Sequence, residues 1–178
     1  DYTVSDDGLT YTFTLKDGIV WSDGTPITAY DFEYSMLRAL SYGVDNAYSI
    51  NEIVSYLKGA KEYNAKAIDA GADFDCTAED HSEVGYKALD EKTIEVQLAS
   101  PCAFLPELMT RRAWVAVPQS TPQHDSLWSL SAGYPTSGPY TLEEINETEK
   151  AVLKKSETYW NKDSITMENI TYWCMTDP

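Results

Sequence analysis

The sequence predicts an α+β fold in which strands and helices are mixed. Residues 9–15 alternate apolar side chains with threonines, which is the period-two pattern of a half-buried strand. After Thr28 the apolar residues instead recur at the three- and four-residue spacing of a helix. Along the rest of the chain the two patterns follow no regular strand–helix–strand rhythm, which favours α+β over a parallel α/β sheet.

The first helix is predicted over residues 29–41, behind two turns. Gly18 and Gly24 each follow an aspartate, and glycine can adopt the positive φ that tight turns require. Thr28 and Asp31 then form a Thr-x-x-Asp pattern, a variant of the capping box that satisfies amide groups at the start of a helix.

Further elements follow from the same periodicities. Apolar spacing predicts a second helix over 48–63, and two alternating runs, 84–89 and 93–98, predict a hairpin. A second hairpin is expected from 137–145 and 150–155, with a last strand over 170–175. The predicted core consists of Leu9, Phe13, Leu15, Phe32, Met36, Leu37, Ile53, Leu57, Ile94, Val96 and Leu98.

Composition excludes several functional classes. The 178 residues carry a net charge of −16, whereas nucleic-acid binding needs clustered Lys and Arg, and Arg111-Arg112 is the only adjacent arginine pair. The charge also favours a monomer, through self-repulsion. The longest apolar stretches, such as 113–117, are far shorter than the roughly 20 residues of a membrane-spanning helix.

No catalytic motif stands out, so an enzyme is not expected, and neither is a cofactor or bound metal. The sequence has no nucleophile elbow and no glycine-rich phosphate loop. Residues 124–126 read His-Asp-Ser, but consecutive residues cannot face one another as a triad requires. Counted from Asp73, the acidic segment lacks the mid-loop glycine of a calcium loop and the glutamate at its twelfth position.

Five segments, in order, resemble conserved blocks of the oligopeptide- and dipeptide-binding proteins of ABC importers. The longest is YTFTLKDGIVWSDGTPITAYDFEYSMLRAL, which contains the Ser-Asp-Gly-Thr-Pro and Thr-Ala-x-Asp signatures. The blocks are residues 11–40, 56–64 (YLKGAKEYN), 84–109, 137–142 (SGPYTL) and 152–161 (VLKKSETYWN).

This resemblance implies the small domain of a type II periplasmic-binding-protein clamshell. Residues 1–134 would be the small extra domain, and 135–178 a returning segment of the main ligand-binding lobe. In this family the two lobes close on a peptide and deliver it to permease subunits in the membrane. The complete protein would then be extracytoplasmic, either periplasmic or a lipid-anchored lipoprotein at the cell surface.

The resemblance also indicates which residues face the ligand, and it suggests a disulfide. An exported protein meets an oxidising milieu, so a Cys76–Cys102 bridge is expected, the alternative being three free thiols. The positions implied to face the ligand are Tyr48, Thr110, Arg111, Trp114, Gly138 and Tyr140.

Two alternatives remain open from the sequence. The same fold could bind another solute, such as an oligosaccharide, a metal chelate or haem, although a metal cargo would favour clustered histidines and the chain has only two. Alternatively, the domain could belong to a secreted surface protein that uses it as an interaction module.

Overall fold

The computed structural model describes residues 1–41, 47–125, 127–146 and 148–174. They form two compact units, which we call the first and the second unit. Each is built from two separate segments: Asp1–Lys16 with Thr28–Gln123, and Asp17–Ile27 with His124–Pro178.

The first unit combines an antiparallel sheet with four helices. The strand order is β1-β2-β4-β3. The strands are β1 (Tyr2–Val4), β2 (Thr10–Thr14), β3 (Tyr86–Ala88) and β4 (Thr93–Gln97), and the helices are α1 (Ala29–Leu40), α2 (Ala47–Tyr56), α3 (Ala60–Ala70) and α4 (Leu105–Leu108). The α+β prediction, the first helix and the first hairpin are thus confirmed.

The core of the first unit lies between the helices and one face of the sheet. The predicted core residues are all part of it or packed against it. Seven are fully buried, namely Met36, Leu37, Ile53, Leu57, Ile94, Val96 and Leu98. The remaining four, Leu9, Phe13, Leu15 and Phe32, are partly buried against the same cluster.

The predicted helix over 48–63 is wrong in its extent, because the helical conformation is interrupted between α2 and α3. Leu57 forms a β-bridge with Leu98, and the Lys58 backbone N–H donates to the carbonyl of Gln97 at 3.1 Å. Gly59 then takes a positive φ of 69° and begins α3. Pairing with the end of β4 therefore outweighs the local helical periodicity.

The second unit contains a three-stranded antiparallel sheet in the order β5-β6-β7. Its strands are β5 (Tyr140–Asn146), β6 (Lys150–Lys155) and β7 (Asn169–Trp173). The second predicted hairpin is confirmed, with an irregularity in register between Leu142 and Glu144. The last predicted strand, over 170–175, is present as β7 but ends at Trp173.

The capping box at the start of α1 is present and extends into tertiary structure. Asp31 Oδ2 accepts from the backbone N–H of Thr28 at 2.8 Å, as the sequence pattern predicts. Its other oxygen accepts from the backbone N–H of Gln119 at 3.1 Å, and the side chain is only 5% exposed. Asp31 therefore joins the helix start to a segment 88 residues away in sequence.

Replacing Asp31 should cost more stability than replacing Thr28. We expect Thr28→Ala to lower the free energy of unfolding by about 1 kcal/mol, the usual value of an N-cap side chain. Asp31→Ala should lower it by about 3 kcal/mol, because it removes the buried carboxylate that accepts from the backbone N–H groups of both Thr28 and Gln119. Urea denaturation followed by circular dichroism measures both values. Equal losses in the two variants would show that the Gln119 contact adds nothing.

Candidate functional site

Thr110 and Arg111 lie at the exposed end of α4. The Thr110 hydroxyl donates to the carbonyl of Glu107 at 2.7 Å, and the Arg111 backbone N–H donates to that of Leu108 at 3.0 Å. Both residues are exposed, and Arg111 immediately precedes a short 3₁₀ helix over Arg112–Trp114. The local turn thus presents one hydroxyl and one guanidinium group at adjacent positions on the surface of the first unit.

Trp114, at the end of that 3₁₀ helix, belongs to the core rather than to the surface. Its side chain is 4% exposed, and its ring centroid lies 6.2 Å from that of Tyr86. Its buried indole N–H has no hydrogen-bond acceptor in the part of the chain that the structure describes. As placed here, Trp114 contributes packing, and a ligand contact would require this region to rearrange.

Gly138 and Tyr140 belong to the second unit. The Gly138 backbone N–H donates to the Thr136 hydroxyl at 3.1 Å, and the Tyr140 hydroxyl donates to the carbonyl of Met167 at 3.1 Å. Both are half-buried. Tyr48 lies in α2, but its side chain is outside the described residues. The six predicted ligand-facing positions are therefore distributed over both units, and their role stays a prediction.

The predicted disulfide between Cys76 and Cys102 is not formed. Cys76 and Cys102 are free, buried thiols, and Cys174 is a free, exposed thiol. Each buried cysteine lies beside a different tyrosine: the Tyr63 hydroxyl donates to the carbonyl of Cys76, and the Tyr11 hydroxyl to that of Cys102. The two thiols fill separate positions in the core. Burial raises the pKa of the Cys76 thiol to about 11, so it is protonated and unreactive at neutral pH.

A surface groove along α3 was not identified from the sequence. It has a volume of about 330 Å³, and charged side chains of both signs surround the buried Tyr63 and Val84 at its base. Asp80 on its rim accepts from the backbone N–H of Ser82, and this bond holds the pKa of the Asp80 carboxyl below its usual value.

The described residues lack two other kinds of feature. Within the described ranges, no group of three or more His, Cys, Asp or Glu side chains could hold a metal ion. Over the same residues, no helix is both long and apolar enough to cross a bilayer.

Comparison with known proteins gives consistent matches. Over residues 1–178 the chain matches the family described as bacterial extracellular solute-binding proteins, family 5 Middle. It is 31% identical over 170 residues to the oligopeptide-binding protein OppA of Bacillus subtilis, covering 93% of this chain and 28% of that protein. It is 30% identical over 169 residues to the periplasmic oligopeptide-binding protein OppA of Escherichia coli, covering 93% of this chain and 29% of that protein.

A solved structure agrees with these sequence matches. The periplasmic oligopeptide-binding protein OppAIV of Borrelia burgdorferi superposes with a TM-score of 0.80 at 32% identity, covering 98% of this chain and 33% of that one. The chain therefore spans about a third of the length of these relatives. The order of the blocks, the fold and the family match all agree, and this chain belongs to the family 5 bacterial extracellular solute-binding proteins.

Proposed function

We propose that the complete protein is the substrate-binding component of an ABC importer, which captures peptides outside the membrane and delivers them to permease subunits. The observation that carries this proposal is the family match along all 178 residues. Two relatives that are at least 30% identical are named as oligopeptide-binding proteins, one of them periplasmic. In this proposal the protein is a binding protein and not an enzyme, works as a monomer and is periplasmic or lipid-anchored at the cell surface.

The two compact units fit this role as parts of a larger clamshell. In this proposal the first unit is the small extra domain, predicted as 1–134, and the second unit is part of the main lobe, predicted as 135–178. The units divide after Gln123, and the second also includes Asp17–Ile27, so we place the boundary nearer 123 than 134. Closure of two lobes would bury a peptide and allow main-chain hydrogen bonds, which tolerate many peptide sequences.

Within the first unit, Thr110 and Arg111 are the predicted contacts whose exposure best suits a ligand. A guanidinium group can form two parallel, charge-assisted hydrogen bonds to a carboxylate, such as the C-terminus of a peptide. The Thr110 hydroxyl donates to Glu107 and still carries acceptor capacity for a peptide N–H. Both groups lie on a turn that the end of α4 fixes by backbone hydrogen bonds.

The test is to identify what the complete protein binds. We expect native mass spectrometry of the complete protein, purified without denaturation, to show short peptides that are released on unfolding. Titration calorimetry with a mixed pool of tri- to pentapeptides should then give micromolar binding, and an oligosaccharide pool should give none.

Arg111→Ala should weaken peptide binding by about tenfold, the usual value of one charge-assisted hydrogen bond, while Arg112→Ala, its neighbour, serves as the matched control. Binding of sugars or chelates in place of peptides would overturn the proposal.

A further inference from the structure

Aspartate is followed by glycine at three places in the chain, and this dipeptide is chemically reactive. The pairs are Asp7-Gly8, Asp17-Gly18 and Asp23-Gly24. The backbone nitrogen of the residue after an aspartate can attack the side-chain carboxyl group and close a cyclic imide, the succinimide. Glycine permits this attack most readily, because it has no Cβ atom to block the approach. All the pairs carry the same reactive groups, so the folded structure decides which of them reacts.

At two of the pairs a hydrogen bond holds the attacking nitrogen. The Gly8 N–H donates to the carbonyl of Ser5 at 2.9 Å, and the Gly24 N–H donates to that of Trp21 at 2.9 Å. Trp21 is only 2% exposed, so the residue that supplies the second acceptor is held in place. A nitrogen that donates to a carbonyl keeps its proton, which it must lose to form the new bond. Ring closure at these two pairs must therefore first break a backbone hydrogen bond.

The Gly18 N–H differs, because it has no acceptor among the described residues. Exposure does not distinguish Asp17-Gly18 from Asp23-Gly24, since all four residues are exposed. Space does not distinguish them either, because in the described structure no atom beyond the adjacent residues lies within 4 Å of a Cβ built at Gly18 or Gly24. The aspartates of all three pairs make contacts of their own. What separates the pairs is thus the hydrogen bond of the glycine N–H.

We propose that Asp17 is a site of spontaneous isoaspartate formation in the folded protein, through attack by the Gly18 nitrogen. The bond from this nitrogen to Cγ of Asp17 forms as the carboxyl group loses its hydroxyl, which leaves with the amide proton as water. A water molecule then opens the succinimide. Attack at Cγ restores aspartate, whereas attack at the α-carbonyl carbon leaves the backbone running through the side chain. Water is the only co-reactant, and nothing is oxidised or reduced.

The modified residue lies where the chain passes from the first unit into the second. The opening segment of the first unit ends at Lys16, and Asp17 is the first residue of the second unit. Isoaspartate adds one methylene group to the backbone there and leaves the former α-carboxyl group as an acidic branch. The Leu15 N–H donates to the carbonyl of Lys92 at 2.8 Å, so the chain is fixed to the first unit before the modified residue. The sheet of the first unit can therefore stay intact, and a folded, modified form should be isolable.

The test follows succinimide formation in the complete, folded protein. The protein is incubated at neutral pH in water enriched in the heavy isotope of oxygen, then digested in ordinary water and analysed by tandem mass spectrometry. Each passage through the succinimide places one heavy oxygen at the residue concerned, and reversed-phase chromatography separates isoaspartyl from aspartyl peptides. We expect Asp17 to be labelled at least about fivefold faster than Asp7 or Asp23, the factor that one net backbone hydrogen bond supplies.

Unfolded protein and a variant provide the controls. In guanidinium chloride the backbone hydrogen bonds are lost, so all three aspartates should be labelled at similar rates. Asp17→Glu should abolish labelling at its own position, because the larger ring that glutamate would form closes much more slowly, and should leave Asp7 and Asp23 unchanged. Labelling of Asp23 as fast as Asp17 in the folded protein would overturn the proposal. So would an unlabelled Asp17 in folded protein whose unfolded form reacts. No readout involves a ligand, so the result is independent of the proposed function.

Discussion

The 178-residue chain by itself should bind peptides with a dissociation constant above about 1 mM, whereas we expect the complete protein to bind them in the micromolar range. In the proposed clamshell, affinity comes from enclosing the peptide between two lobes. A single open wall leaves most backbone groups of the peptide hydrated. The few remaining contacts then scarcely offset the several kcal/mol lost in immobilising a flexible ligand.

Calorimetry with a pool of tri- to pentapeptides measures this difference, with the complete protein and the 178-residue chain run side by side. Ligand-observed NMR extends the range to weak binding. At low salt, the net charge of −16 should favour basic over acidic peptides, and this bias should fade as salt is added. Micromolar binding by the chain alone would contradict the enclosure argument and make the small domain itself the recognition module.

Gly59→Ala should largely unfold the first unit. Gly59 has a φ of 69°, and a Cβ atom there would lie 2.2 Å from the carbonyl oxygen of Glu83. That carbonyl belongs to backbone and cannot move away as a flexible side chain could. The chain is also fixed on both sides of this contact, because the Lys58 carbonyl accepts from the Gly85 N–H at 2.8 Å. We expect a loss of at least about 4 kcal/mol, a large part of the stability of an ordinary domain.

Gly71→Ala is the matched control, because Gly71 ends the helix that Gly59 begins. Its φ is 62°, and no atom lies within 4 Å of a Cβ built there. This substitution should therefore cost only the backbone strain of a φ of 62° with a ψ of −129°, on the order of 1 to 3 kcal/mol. Urea denaturation of both variants, monitored by near-ultraviolet circular dichroism, separates the energy of backbone strain from the energy of the close contact with Glu83. Equal losses in the free energy of unfolding would mean that the Glu83 backbone moves aside and that its close approach to Gly59 does not affect stability.

The sequence by itself determined the elements whose signals are local. Alternation in residues 9–15 predicted β2, and the Thr-x-x-Asp pattern placed the start of α1 at the observed residue. Both depend on side chains and backbone groups a few residues apart, so no distant contact was needed to specify them. The family resemblance was also carried by local blocks, and it indicated the family correctly.

Where contacts between distant segments compete with local preference, only the tertiary structure decided which conformation forms. The periodicity of 48–63 favours one helix, but pairing of Leu57 and Lys58 with the end of β4 interrupts it. The cysteines stay apart because each occupies its own place in the core, which spacing in the sequence cannot reveal. Asp31 reads as a local cap, yet its second oxygen binds a backbone amide 88 residues away. In each case the deciding contact joins residues far apart in the chain, and its energy outweighs the roughly 1 kcal/mol of a local propensity.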